Sequence, residues 1–206
     1  MRVNWAMDGM AGQKTNARIE GFSTKRLSVS HWGASLKDAG ALEILQSNLA
    51  DLLVPEVLEH LPPSFVLAEE DDGAIAGWIK ARDEEAQVYI VRNIAEQDMM
   101  GLLFLTGGIA APDEGDRSAD VASSASEDGT DASILRLGYM FAQSAWGKGY
   151  ATELIEGLMG NLDQIGRPLV RAGVSTGNVA SARVLIKSGF SLVEKLSERE
   201  MEIYEA

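Results

Sequence analysis

Hydrophobic positions along the chain change period several times, and each change predicts an element. Between Glu20 and Ser30, Phe22, Leu27 and Val29 alternate with polar residues, which predicts a first strand. From Ser35 to Leu61 the spacing becomes helical, with Leu36, Ala39, Leu42, Leu45, Leu49, Leu52 and Leu53 in register. Pro55 and the Pro62–Pro63 pair divide that stretch into two short helices, because proline lacks an N–H and clashes with the preceding turn. Ala74 to Ala81 fits strand and helix equally. Gln87–Ile94 and Met99–Thr106 are apolar β-runs flanking a polar turn, which predicts a hairpin. Leu135, Leu137, Tyr139 and Phe141 alternate strongly, predicting a strand over 134–142. A helix follows from about Thr152, with Leu154, Ile155, Leu158, Met159 and Leu162 on one face, and Gly166 and Pro168 end it. Leu169–Thr176 reads as a strand and Ala180–Ser188 as a helix with Gly189 as its left-handed cap. Phe190–Leu196 and Arg199–Tyr204 read as a closing pair of strands. The sum is a mixed α/β (α+β) domain with a central, mostly antiparallel sheet flanked by helices.

Two segments stand outside this pattern. Residues 1–17 are small and polar without a period, which predicts a loose terminus ahead of a single domain over 18–206. Residues 107–133 are rich in Ala, Ser, Asp and Gly, with seven acids against the single Arg117. Such a segment buries little apolar surface, which predicts a flexible acidic insert, either a flap over a site or a tolerated insertion.

Composition narrows the function classes. At 206 residues, the chain can bury a substantial core as one domain. No apolar run approaches the roughly 20 residues of a membrane span, and Met1 to Asn16 lacks the apolar stretch of a secretory signal. The absence of cysteine excludes disulfides, thiolate zinc sites and a thiol nucleophile, and a cytoplasmic location is the default expectation. A net charge of −13 without a Lys/Arg block argues against nucleic acid. It suits cationic partners such as amines, and it also suits plain solubility. No His, Asp or Glu spacing matches a metal site; Glu59 and His60 are adjacent, and no metal is expected.

The chemistry concentrates in residues 134–190. A strand, then Gly147-Lys148-Gly149-Tyr150-Ala151, then a helix sets backbone N–H groups at a helix N-terminus, where phosphate binds well. The same residues could form a glycine-rich turn and nothing more. A P-loop does not fit, because Lys148 precedes Gly149 instead of a hydroxyl residue. The dinucleotide fingerprint does not fit either, because its third glycine falls on Thr152.

The run Asn178-Val-Ala-Ser181-Ala-Arg-Val-Leu185-Ile-Lys187-Ser-Gly189-Phe190 begins 29 residues after Gly149. With Trp146-Gly-Lys-Gly-Tyr-Ala151, it resembles the GCN5-related N-acetyltransferase (GNAT) superfamily. The first segment matches the family's pyrophosphate loop, Q/R-x-x-G-x-G/A, and the second matches the helix and turn that close the coenzyme A site. The Trp146 variant and the early Thr24-Lys-Arg-Leu27 are similar to the branch of the ribosomal-protein N-terminal acetyltransferases. The resemblance implies acetyl-CoA as co-substrate, bound where the 134–142 and 169–176 strands splay apart. Trp146, Gly147, Lys148, Gly149, Tyr150 and Ala151 would form the loop whose main-chain N–H groups hold the pyrophosphate, with Lys148 facing either phosphate or solvent. The backbone near Met140, Phe141 and Ala142 would pair with pantetheine and polarise the thioester carbonyl. Asn178 would bind the pantetheine arm or orient a water, as well as or instead of capping the helix that follows.

The implied reaction is direct attack by a primary amine on the thioester in a ternary complex. The amine must lose a proton and the departing thiolate must gain one. Many family members carry a tyrosine seven residues after the asparagine, but here that position is Leu185. Ser181, or water, becomes the candidate donor; Tyr139 and Tyr150 are further hydroxyls. No base is evident, although His31, His60, Trp32 and Trp78 fall in the region expected to shape the acceptor cleft. The acceptor could be a protein N-terminus or a small amine, with a second copy of the chain as a further candidate partner. Leu185 also admits an alternative, a catalytically degenerate acyl-CoA-binding regulatory module. A third reading is a purely structural glycine loop.

Overall fold

The computed structural model describes residues 19–67, 73–107, 134–166 and 168–206. The expected loose terminus at 1–17 and all of the acidic insert beyond Gly107 lie outside the described residues.

Eight strands form one open sheet: β1 (Phe22–Ser23), β2 (Leu27–His31), β3 (Gln87–Asn93), β4 (Met99–Gly107), β5 (Ile134–Phe141), β6 (Leu169–Ser175), β7 (Ser191–Leu196) and β8 (Met201–Glu205). Their spatial order is β1-β2-β3-β4-β5-β6-β8-β7. Every pairing is antiparallel except β5 with β6. The closing pair thus enters the sheet reversed, with β8 against β6 and β7 at the edge. The expected first strand is two strands, because Thr24 turns the chain: its N–H donates to the Leu27 carbonyl and its Oγ1 accepts from the Leu27 N–H.

Among the described residues, five α-helices cover the two faces: α1 (Ala39–Leu52), α2 (Pro55–Leu58), α3 (Ala74–Glu85), α4 (Tyr150–Asp163) and α5 (Val179–Lys187). Asp38 caps α1 by accepting from the Ala41 N–H, and Pro55 opens α2, where its missing N–H costs nothing. The segment at 74–81, ambiguous by period, is helical because Trp78, Ile79 and Arg82 turn together into the core. The alternation of β5 divides its side chains between two cores. Leu135, Leu137 and Phe141 pack under α4 and α5, whereas Met140 faces the cluster of α1, α2 and α3. Leu154, Leu158 and Leu162 of α4 are fully buried, each contributing roughly 2 kcal/mol by loss of apolar contact with water.

Gly157 interrupts this apolar helix for a tertiary reason. A Cβ there would lie 2.5 Å from Thr24 Cγ2 and 3.1 Å from the Phe22 ring. In a free helix, Gly157→Ala would stabilise by about 1 kcal/mol. Here the expected sign is reversed, a loss of about 1–3 kcal/mol from overpacking, read as a lower denaturation midpoint.

Candidate active site

The loop after β5 is built to expose its backbone. Gly147 and Gly149 both have positive φ, 71° and 78°, a region that costs other L-residues energy. The buried Ala145 anchors the loop on one side, and the Trp146 indole N–H donates to the Phe141 carbonyl at 2.8 Å. Between these anchors and α4, residues 146–149 are exposed. Gly149 is the N-cap of α4 and supplies no side-chain cap. The N–H groups of the first helical turn therefore point outward without intrahelical acceptors, with the helix dipole behind them. A Cβ at Gly147 would meet nothing within 4 Å, so the space in front of the loop is open. This arrangement fits a diphosphate.

A side chain from the far end of the sheet sits beside the loop. Arg26, just before β2, donates from Nε to Glu153 Oε2 (2.6 Å) and from Nη1 to the Lys148 carbonyl (3.0 Å). Its guanidinium lies 4.2 Å over the centre of the Tyr150 ring. Glu153, in the first turn of α4, also accepts from the Arg26 N–H and from Thr24 Oγ1. Desolvation pushes the Glu153 carboxyl upward, but the hydrogen bonds from Thr24 and Arg26 and the charge of Arg26 outweigh it and hold the group below its ordinary value.

The second component is a gap in the sheet. β5 and β6 pair only at Ile134↔Leu169, Leu135↔Val170 and Arg136↔Arg171; beyond these positions the strands have no register partners in each other. Along β5, Ala142 donates its N–H to the Met100 carbonyl of the neighbouring strand. Strand alternation turns the Met140 backbone the same way, toward β4. Met140 and Ala142, expected near pantetheine, thus present their backbone to β4. The backbone that faces the gap belongs to Tyr139 and Phe141; Trp146 occupies the Phe141 carbonyl, which leaves the N–H at that residue.

A small cavity lies in the gap, bordered by His60, Tyr139, Ser175, Asn178, Ser181 and Leu185 among others. Asn178 caps α5 by accepting from the Ser181 N–H at 3.0 Å, which leaves its amide NH2 for another partner. Tyr139 Oη and Ser181 Oγ are 2.9 Å apart. Burial pushes the Tyr139 phenol up to about 12, partly offset by the Ser181 bond, so the pair holds its protons throughout the neutral range. His60 follows α2 and reaches across to the β6–α5 junction, its Cε1 3.8 Å from where a Cβ on Gly177 would stand. A second cavity of about 150 Å³ opens on the α1–α3 face and shares Leu137, Gly138 and Gly173 with the first.

The structure thus brings Tyr139, Asn178, Ser181 and His60 to one cavity, turns the Phe141 backbone toward the same gap, and ties Trp146 to the end of β5 through the Phe141 carbonyl. Other candidates fall elsewhere. His31 accepts from the Gly33 N–H and packs edge-on against Tyr89. Trp32 and Trp78 are buried, donating to Asp83 and to the Phe65 carbonyl. Tyr150 lies beneath Arg26, and Lys148 is exposed. Leu185 is fully buried in the position where a tyrosine would offer its hydroxyl. Arg26 and Glu153 escaped sequence reasoning as a pair. The one signal was Glu153 in the first turn of α4, and a first-turn carboxylate by itself is common because the helix dipole favours it. Among the described residues, no group of three or more His, Asp or Glu could hold a metal, and no helix is long and apolar enough to cross a membrane.

Solved structures share this architecture at low sequence identity. An acetyltransferase of the GNAT family from Bacillus anthracis has a TM-score of 0.61 at 16% identity, covering 90% of this chain and 97% of its own. A ribosomal L7/L12 alpha-N-protein acetyltransferase (RimL), solved with coenzyme A, has a TM-score of 0.60 at 14% identity, covering 91% and 97%. A structure from Vibrio cholerae, described as a ribosomal-protein-serine acetyltransferase, has a TM-score of 0.57 at 12% identity, covering 94% and 99%. At these identities the likeness speaks for the fold. No curated protein matches the chain. The acetyltransferase (GNAT) domain family matches residues 46–191, a span that contains the open sheet gap, the uncapped α4 terminus and Asn178 with Ser181. The chain therefore belongs to the GNAT acetyltransferases, enzymes that take their acyl group from an acyl-CoA.

Proposed function

We propose that the protein N-acetylates a primary amine by direct attack within a ternary complex. The observation that carries this reading is the meeting of His60, Tyr139, Asn178 and Ser181 at a gap beside β5, the strand whose end leads into the uncapped α4 terminus. Acetyl-CoA supplies the acetyl thioester. The N–H groups of Gly147 through Ala151 bind the diphosphate, and the Asn178 amide binds the pantetheine arm. The Phe141 N–H, directed into the gap, polarises the thioester carbonyl in the manner of an oxyanion hole. His60 takes the proton that the attacking amine must lose. As the N–C bond forms and the C–S bond breaks, the Tyr139–Ser181 hydroxyl pair returns a proton to sulfur. That pair answers the loss of the family tyrosine at Leu185, which was the support for a degenerate module.

A cationic acceptor suits the net charge of −13. The test is release of free thiol from acetyl-CoA across a panel of peptide N-termini, amino acids, polyamines and aminoglycosides. Turnover on one class supports the reading and names the acceptor. Tight acetyl-CoA binding with no turnover on any amine would favour the regulatory module. Ser181→Ala is expected to lower kcat about 10–100-fold while the acetyl-CoA Kd changes less than about twofold. An unchanged kcat would move the proton donor to water.

A further inference from the structure

We infer that Arg26 is a positioning residue for the diphosphate of acetyl-CoA: it clamps the Lys148–Tyr150 loop and neutralises the carboxylate that would oppose the ligand. The inference rests on the acetyl-CoA reading above. Sequence distance makes the contact conspicuous, since Arg26 is 122 residues from Lys148 and 127 from Glu153. Three kinds of contact converge on one guanidinium. Nη1 binds the Lys148 carbonyl, which directs that peptide's oxygen back toward the sheet. The planar face covers Tyr150, the first residue of α4. Nε and the main-chain N–H together hold Glu153.

Glu153 explains why an arginine is required. It stands in the first turn of the helix whose dipole would attract the diphosphate. Left unpaired, its charge would oppose a dianionic ligand. Paired, it becomes the post that holds Arg26 at the loop. A lysine cannot make both bonds with one fixed fork, because its ammonium is a single point. Nη2 makes no hydrogen bond among the described residues and lies 3.7 Å from where a Gly149 Cβ would be, so one edge of the fork remains beside the αL cap. A brace that only joined β2 to α4 could end at Glu153; the bond to the Lys148 carbonyl and the stack on Tyr150 extend it into the ligand loop.

The test compares acetyl-CoA with S-acetylpantetheine, which lacks the diphosphate, by calorimetric titration of the parent, Arg26→Ala and Arg26→Lys. The expected result is a tenfold or greater loss of acetyl-CoA affinity in Arg26→Ala, partial loss in Arg26→Lys, and S-acetylpantetheine binding within about twofold of the parent. Equal loss on both thioesters, or retained acetyl-CoA affinity, overturns the inference. Hydrogen exchange of the ligand-free protein gives a second readout. Amides over 147–153 are expected to exchange faster in both variants, with the β3–β4 hairpin unchanged. If the parent itself bound no acetyl-CoA, the acetyl-CoA reading would fail, and unchanged exchange over 147–153 would separately sink the clamp.

Discussion

Gly149→Glu is expected to weaken acetyl-CoA binding by at least 100-fold while the domain stays folded. Two effects add. The residue sits at φ 78°, a conformation that costs a side-chain-bearing residue about 1–2 kcal/mol, so the variant shifts the loop to relieve it. The new carboxylate also stands at the helix terminus meant for a diphosphate. Two unit charges about 4 Å apart repel by roughly 4 kcal/mol near a protein surface. A 100-fold loss corresponds to about 2.7 kcal/mol, so part of this repulsion suffices even after solvent screening. The fold should survive, because a Cβ at this position has only the tip of Arg26 near it, at 3.7 Å. Gly149→Ala separates the two effects, since it carries the backbone strain without the charge and should weaken binding much less. Calorimetric titration of a variant with native circular dichroism checks both. Affinity equal to the parent would place the diphosphate away from the α4 terminus.

The second large effect is expected at His60. Among the polar side chains bordering the gap, three are hydroxyls, of Tyr139, Ser175 and Ser181, and one is the Asn178 amide, which leaves the His60 imidazole as the side chain with a basic nitrogen for the amine's proton. His60→Gln should lower kcat with the best amine by about 10²–10³-fold at pH 7, within the range of general-base catalysis. The acetyl-CoA Kd should change by far less than kcat, because the diphosphate is held at the 147–151 loop and His60 only borders the cavity beside Asn178. An unchanged kcat in His60→Gln, measured on a variant that still binds acetyl-CoA, would show that a different group or water takes the amine's proton.

Much of the candidate site's geometry was legible in residues 134–190 because that geometry is local. A positive-φ glycine before an apolar helix presents N–H groups whatever surrounds it, and Gly147 and Gly149 do so here. Asn178 is similar, since its cap reaches only three residues ahead to the Ser181 N–H. The helix and strand periods located the elements to within a few residues, and the Gln87–Ile94 and Met99–Thr106 hairpin is present as β3 and β4. The segment at 74–81 could not be resolved by period, because its helical state depends on Trp78 and Arg82 meeting Phe65 from a distant turn.

The sequence by itself determined the family, the glycine loop before α4 and the single-sheet α/β plan, all of which depend on neighbours within a few residues. Only the tertiary structure decided the rest. It placed β8 between β6 and β7, limited β5–β6 pairing to three positions, and turned the backbone of Tyr139 and Phe141, not Met140 and Ala142, into the resulting gap. It set Tyr139 against Ser181 across 42 residues, carried His60 to the same cavity, and laid Arg26 on a loop more than 120 residues away. The physical reason is reach. Backbone conformation and capping are settled by bonds within one or two turns, whereas partners for a buried hydroxyl, an imidazole or a guanidinium are chosen only when distant strands pack together.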